Sequence, residues 1–257
     1  MIRIIMVAVI LIGFLVVSYP LLLLEKKAAR EDPHKQMEHS QEIVKKVFTL
    51  LLKVSGVKVT VKGLENIPEG AVLYVGNHQS YYDILLGYTT VPGLVGFVAK
   101  KEMLRWPLLS DWMVLVNCLF LDRENLKEGL KTILQGIDKI KDGISMWIFP
   151  EGTRNENENP LELMQFREGS LKIAEKSGCP VVPVAISGTP DVFEAHIPFV
   201  RPAEVTIEYG KPFYVKELPL EARKRSGAYT RDLIIKMLEK EQAYKKLPEE
   251  EQTYKKA

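Results

Sequence analysis

The chain has 257 residues, 26% of them charged and 46% hydrophobic, with a formal net charge of +2. That length suits one large α/β domain or two small ones, and the composition is that of a folded protein. The charge is too small to imply a nucleic-acid partner. The two cysteines, Cys118 and Cys179, lie too far apart in sequence for a metal-ligand motif and form no disulfide framework, which favours a reducing compartment with both thiols in the core.

From Ile4 to Leu24 the chain carries 21 residues without a charge. As one helix this stretch would cover roughly 30 Å, the thickness of a bilayer's hydrocarbon core. Arg3 precedes it, and Glu25, Lys26, Lys27 and Arg30 follow. It is too long for the apolar region of a signal peptide and no small-residue cleavage site closes it, so an uncleaved membrane anchor is expected. Pro20 could bend it. Spanning and one-leaflet insertion both stay open, and basic residues at both ends give no strong orientation. Glu31 to Gln41 is polar and reads as a turn leading into a helix, with His34 and His39 as solvent-exposed linker residues. Ile43, Val44, Val47, Phe48, Leu51 and Leu52 then recur at helical spacing with Lys45, Lys46 and Lys53 between them, which predicts an amphipathic helix. It either packs on the domain core or lies at a membrane interface beside the first helix. Residues 1–56 are therefore expected to form an N-terminal two-helix membrane-binding segment, and 57–257 the remaining domain.

Strand-like runs begin after Gly56. Val57 to Val61 alternates, whereas Ala71–Val75, Val95–Ala99, Met146–Phe149 and Val181–Ile186 are continuous apolar runs, the pattern of strands buried on both faces. Leu126, Leu130, Ile133, Leu134, Ile137 and Ile140 make one helical stripe ended by Gly143. Val205 to Tyr209 adds a late strand, and the chain from Leu220 onward is charged and helix-favouring. The last residues, with Glu249, Glu250, Glu251, Lys255 and Lys256, are expected to fray. Alternating strands and helices predict an α/β fold with a mixed, largely parallel twisted sheet flanked by helices.

Several strand ends carry residues able to do chemistry, and in α/β folds ligands bind beyond the carboxyl ends of strands. His78 and Asp83 follow the Ala71–Val75 strand. Five positions apart, they would diverge by about 140° in one continuous helix, so His78 must sit on the turn before the helix if the two are to touch. Asn77 or Ser80 could shape that turn. A carboxylate on one imidazole nitrogen leaves the other free to take a proton from a hydroxyl; the plainer reading is a capping histidine with a helical aspartate. Phe149–Arg154 ends another buried strand. Gly152 lets backbone amides approach a ligand, Arg154 offers a planar fork to phosphate, and Glu151 could accept from a substrate hydroxyl. Arg123 follows the apolar run at Leu119–Leu121, where Asp122 could hold it by an ion pair. Lys100 and Lys101 end a third strand. One His–Asp pair and up to four cations suggest a phosphate ester bearing a hydroxyl to be deprotonated. Ser80 as a nucleophile lacks the Gly-x-Ser-x-Gly elbow. A metal-dependent phosphohydrolase finds too few ligands, His196 being the only later histidine and expected in a structural or loop role.

Asn77–Asp83, Leu119–Arg123, Phe149–Arg154 and Val182–Ile186 resemble, in order and at about the same spacing, the four blocks of the glycerolipid acyltransferases, the first being the family's His-x4-Asp block. Ala99–Met103 also looks like the family's lysine-bearing strand end. The resemblance covers roughly Leu64 to Tyr214, with Asn117 standing where the family often has glycine. It implies transfer of an acyl chain from a thioester to the 2-hydroxyl of 1-acyl-sn-glycerol 3-phosphate, giving phosphatidic acid; glycerol 3-phosphate or another lysophospholipid is the nearest alternative acceptor. His78 would be the general base and Asp83 its orienter. Arg123 and Arg154 would bind the acceptor's phosphate, Gly152 and Thr153 would shape that pocket, Glu151 would contact it, and Lys100 or Lys101 would assist. No metal or other cofactor is implied. The expected partners are the phospholipid bilayer, lysophosphatidic acid and an acyl carrier protein or coenzyme A thioester, at the cytoplasmic face of the cell membrane. Trp106, Leu108, Leu109, Trp112 and Met113 are expected as a channel wall, an interfacial patch or plain core.

Overall fold

A computed structural model of the chain describes residues 1–157 and 159–246. The residues expected to fray at the C-terminus, Glu249 to Lys256, lie outside them. Seven strands form one sheet: β1 (Lys58–Lys62), β2 (Leu73–Gly76), β3 (Val95–Lys100), β4 (Leu119–Leu121), β5 (Ser145–Ile148), β6 (Val181–Ser187) and β7 (Glu204–Tyr209), in the order β1-β7-β6-β2-β5-β3-β4. The five strands β2 to β6 run parallel; β7 is antiparallel to β6, and β1 pairs parallel with β7. The sheet is therefore mixed and mostly parallel. The alternation within each apolar run divides it between two cores. Val72, Tyr74, Trp147, Val182 and Val184 face one layer, while Leu73, Val75, Met146, Ile148 and Val181 face the other.

Helices cover both layers. The first core takes Leu22 from α2 (Tyr19–Glu31), Val44 and Leu52 from α3 (Pro33–Ser55), Leu86 and Tyr88 from α4 (Tyr82–Thr90) and Trp112 from α5 (Leu109–Leu115). The second takes Ile137 and Ile140 from α6 (Leu126–Lys141), Ile173 and Ala174 from α7 (Lys172–Ser177), and Ile234 and Leu238 from the long C-terminal helix (Ser226–Lys245). The α6 residues are the predicted stripe. Asn125 caps that helix through its side-chain oxygen, and the left-handed Gly143 follows it.

The N-terminus departs from the sequence reading in two places. The uncharged stretch is not one helix. It breaks at Ser18 between α1 (Ile2–Val17) and α2, which meet at a 54° bend. Pro20 lies in the first turn of α2, where its missing N–H costs nothing, and the Ser18 hydroxyl accepts from Trp112 Nε1 at 3.1 Å. No single described helix is long and apolar enough to cross a membrane, although the bent pair together meets that measure. The polar segment after Glu31 is helix as well. Asp32 accepts from the Lys35 N–H at 3.2 Å and Pro33 opens α3, so only Asp32 separates the two helices. His39 is consequently not a linker residue: its Nδ1 lies 2.6 Å from Glu25 Oε1, and the buried Glu25 also accepts from Ser40 Oγ at 2.7 Å. These bonds clamp α2 onto α3.

Candidate active site

The turn between β2 and α4 is built by side chains bonding to backbone. Asn77, fully buried, donates to the Ile186 carbonyl at 2.9 Å and accepts from the Ile186 N–H at 2.8 Å, which locks the end of β2 to β6. His78 stands on that turn ahead of α4, as the spacing requires. Its Nδ1 lies 2.9 Å from Asp83 Oδ2. The same oxygen accepts from the Gln79 and Ser80 N–H groups, each at 2.8 Å. Oδ1 accepts from Thr189 Oγ1 at 2.7 Å. Asp83 is fully buried while the His78 side chain is 14% exposed. A carboxylate with three N–H and O–H donors beside the imidazole stays an acceptor, which fixes the proton on Nδ1 and leaves the Nε2 lone pair free. The imidazole stacks on Phe149, with centroids 4.1 Å apart and planes at 13°.

Glu151 does not face a ligand. It is 4% exposed, and its two oxygens accept from the backbone N–H groups of His78 at 2.8 Å and Met164 at 2.9 Å. Burial pushes its carboxyl above the ordinary glutamate value. The expected contact with a substrate is thus replaced by a clamp that joins the His78 turn to the segment after β5. Asp122 does not hold Arg123 either. It accepts from Lys101 Nζ at 2.8 Å and from the Glu124 and Asn125 N–H groups, a bond that holds Lys101 above and Asp122 below their usual values. Arg123 instead donates to the Gly152 carbonyl. Burial, then the nearby Arg167 cation, push the Arg123 guanidinium below its usual value. Gly152 has φ +81°, the left-handed backbone that favours glycine, and a Cβ there would crowd Arg123 Nη1 at 3.1 Å and Arg167 Nε at 3.3 Å.

Arg154 donates to Glu194 Oε1 at 3.1 Å, and its Cζ lies 4.0 Å from the Tyr81 ring centroid. Glu194 also accepts from Ser80 Oγ at 2.6 Å and from the Tyr81 N–H at 2.9 Å. Ser80, held in that bond and fully buried, is a turn residue.

His78, Lys100, Arg123, Gly152, Thr153 and Arg154 line one cavity of about 650 Å³; Lys101 does not. Most of its wall is apolar, from Ile4, Val7 and Phe14 of α1, Phe48 of α3 and Tyr88 of α4. Of the residues expected in a channel wall, Leu109, Trp112 and Met113 are there, whereas Trp106 is 65% exposed. Cys118 also lines it, and burial pushes both Cys118 and Cys179 thiols up. Asn117 adopts φ 63°, a left-handed conformation that asparagine tolerates best after glycine, and its Oδ1 accepts from Lys139 Nζ at 2.8 Å. A second hollow, of about 700 Å³, is edged by Asp191, His196, Arg201 and Lys245 and shares no lining residue with the first. Among the described residues, no group of three His, Cys, Asp or Glu side chains is placed to hold a metal ion.

Sequence reasoning missed Thr189, Glu194 and Arg167. Thr189 lies two residues past the end of β6 and so satisfied the strand-end criterion that found the others. Glu194 opens a single 3-10 turn and Arg167 sits in a loop, with no pattern to mark either.

Residues 58–187, from the start of β1 to the end of β6, match the acyltransferase family. This chain belongs to that family. The 1-acyl-sn-glycerol-3-phosphate acyltransferase of Borreliella burgdorferi is 30% identical over 189 residues, 73% of this chain and 74% of that protein. The Saccharomyces cerevisiae protein of the same name is 34% identical over 153 residues, 58% of this chain and 50% of its own. The crystal structure of the 1-acyl-sn-glycerophosphate acyltransferase PlsC from Thermotoga maritima superposes with a TM-score of 0.78 at 26% identity, covering 94% of this chain and 95% of that one. The fold is thus shared along nearly the whole length of both chains. Thr189 and Glu194 fall just beyond the matched family span.

Proposed function

We propose that this acyltransferase moves an acyl chain from a thioester donor to the 2-hydroxyl of 1-acyl-sn-glycerol 3-phosphate, giving phosphatidic acid, with His78 as general base. The relatives' names support the acceptor, and one observation carries the chemistry. His78, its Nδ1 2.9 Å from the buried Asp83, lines an apolar cavity that also carries Arg123 and Arg154. His78 Nε2 takes the proton of the hydroxyl as its oxygen attacks the thioester carbonyl. The C–O bond forms, the C–S bond breaks, and the proton on His78 passes to the departing thiolate. Asp83 stabilises the imidazolium, and backbone amides serve the tetrahedral oxyanion. Arg154 and Arg123 hold the phosphate, Gly152 and Thr153 shape its pocket, and Lys100 adds positive charge. The apolar part of the cavity takes an acyl chain. Acyl carrier protein or coenzyme A bears the donor.

The same reading places the enzyme at the cytoplasmic face of a membrane. α1 turns Ile4 and Val7 to the cavity and leaves Ile5, Val9 and Ile12 exposed, at 56%, 65% and 61%. An apolar face of that kind fits a lipid surface, and the bend at Ser18 favours insertion into one leaflet. The test is phosphatidic acid formation by the full chain on vesicles containing lysophosphatidic acid, with each thioester in turn. His78→Ala should abolish transfer, and Arg154→Ala should raise the KM for the acceptor. Unchanged transfer by His78→Ala overturns the mechanism.

A further inference from the structure

We propose that Glu194 is the positioning residue that aims Arg154 at the acceptor's phosphate, and that it does so from the turn that carries His78. The inference rests on the reading above, in which Arg154 binds that phosphate. Glu194 lies past β6, with its side chain 16% exposed. One carboxylate joins its own segment to two others that are distant in sequence. Oε2 accepts from Ser80 Oγ at 2.6 Å, while Oε1 accepts from the Tyr81 N–H at 2.9 Å and from Arg154 Nη1 at 3.1 Å. The guanidinium lies over the Tyr81 ring, 4.0 Å from its centroid. Tyr81 therefore backs the fork with its ring, and Glu194 holds it by one nitrogen. The remaining N–H groups of the fork stay available to an anion.

By charge alone this arrangement is wrong for binding phosphate. A carboxylate within hydrogen-bonding distance of the binding cation repels the ligand and weakens the pull of the cation. Its contribution is geometric: a long, rotamer-rich side chain enters the cavity already ordered. Ser80 and Tyr81 sit in the loop whose backbone grips Asp83 Oδ2. Glu194 thereby ties the distance between phosphate and base to a single loop, so an acceptor held by Arg154 presents its hydroxyl at a set distance from His78.

A double-mutant cycle with Arg154→Ala tests this, with KM for lysophosphatidic acid, KM for the thioester, kcat and thermal midpoint measured for each variant. Glu194→Ala should raise the acceptor KM about tenfold, the loss of one hydrogen bond to a charged group, and leave the thioester KM unchanged. Glu194→Gln, whose amide oxygen still accepts, should raise it less, and it carries the same comparison where the alanine variant does not fold. In the Arg154→Ala background, removing Glu194 should add nothing. An equal rise in acceptor KM in both backgrounds overturns the inference, since Glu194 would then act without Arg154. So does an Arg154→Ala effect with no Glu194→Ala effect. An acceptor KM unmoved by Arg154→Ala overturns the phosphate assignment itself, and the inference with it.

Discussion

Replacing Thr189 by valine removes one hydroxyl and changes almost no volume. In the native structure that hydroxyl lies 2.7 Å from Asp83 Oδ1, and both residues are fully buried. The variant leaves a carboxylate oxygen without its donor in a place water does not reach. A hydrogen bond to a charged group is worth about 1.5–3 kcal/mol, which would be roughly 10- to 100-fold if all of it appeared in the transition state. The other oxygen keeps its bonds to the Gln79 and Ser80 N–H groups and to His78. The carboxylate can then only pivot about Oδ2, which puts the expected loss near the lower bound, about tenfold in kcat. Neither KM should change, because Thr189 touches no proposed substrate pocket. The thermal midpoint should fall by roughly 3–12 °C. Steady-state kinetics with saturating thioester, beside a thermal melt, measures both quantities. Thr189→Ser should restore kcat, since the hydroxyl returns. Full kcat in the valine variant, or a serine variant no better than valine, refutes the claim that this hydroxyl orients the dyad through Asp83.

Glu151→Gln tests the clamp. The folded pKa of Glu151 is raised by burial, so the native state keeps a proton that the unfolded chain has released. The stability this group contributes is full below about pH 4 and is lost as pH rises through the raised folded value. The variant loses one backbone N–H acceptor, so its thermal midpoint should lie below wild type at low pH and fall less steeply as pH rises. A variant slope equal to that of wild type would show that Glu151 does not carry this linkage. Gly152→Ala should cost about 1–2 kcal/mol for its left-handed backbone; its Cβ would also press on Arg123 Nη1 at 3.1 Å. A lower midpoint and a higher acceptor KM are expected, and an unchanged acceptor KM would separate Arg123 from phosphate binding.

Much of this architecture was legible because period and spacing are local properties. The continuous apolar runs became strands buried on both faces, and the five-position spacing of His78 and Asp83 forced the imidazole off the helix. The misreadings concern the partners that polar side chains choose. Asp122 adjoins Arg123 in sequence, yet Lys101 on the neighbouring strand end reaches it first. Glu151 looked free to meet a ligand because nothing in its own segment shows the His78 and Met164 N–H groups that occupy it. Thr189 and Glu194 lie more than a hundred residues from the turn they hold. The polar run after Glu31 read as a linker because its helical partner, the buried Glu25, belongs to a different helix.

The position of β1 has a consequence for the newly made chain. β1 pairs with β7 alone, Lys58 against Glu204, so this edge cannot close until most of the polypeptide has been synthesised. At roughly 5–20 residues per second the ribosome takes on the order of ten seconds to cover that interval. Throughout it α1, α2 and α3 are already made, and α2 can clamp onto α3 through Glu25, His39 and Ser40. The apolar helical layer can therefore assemble on itself well before the edge of the sheet closes.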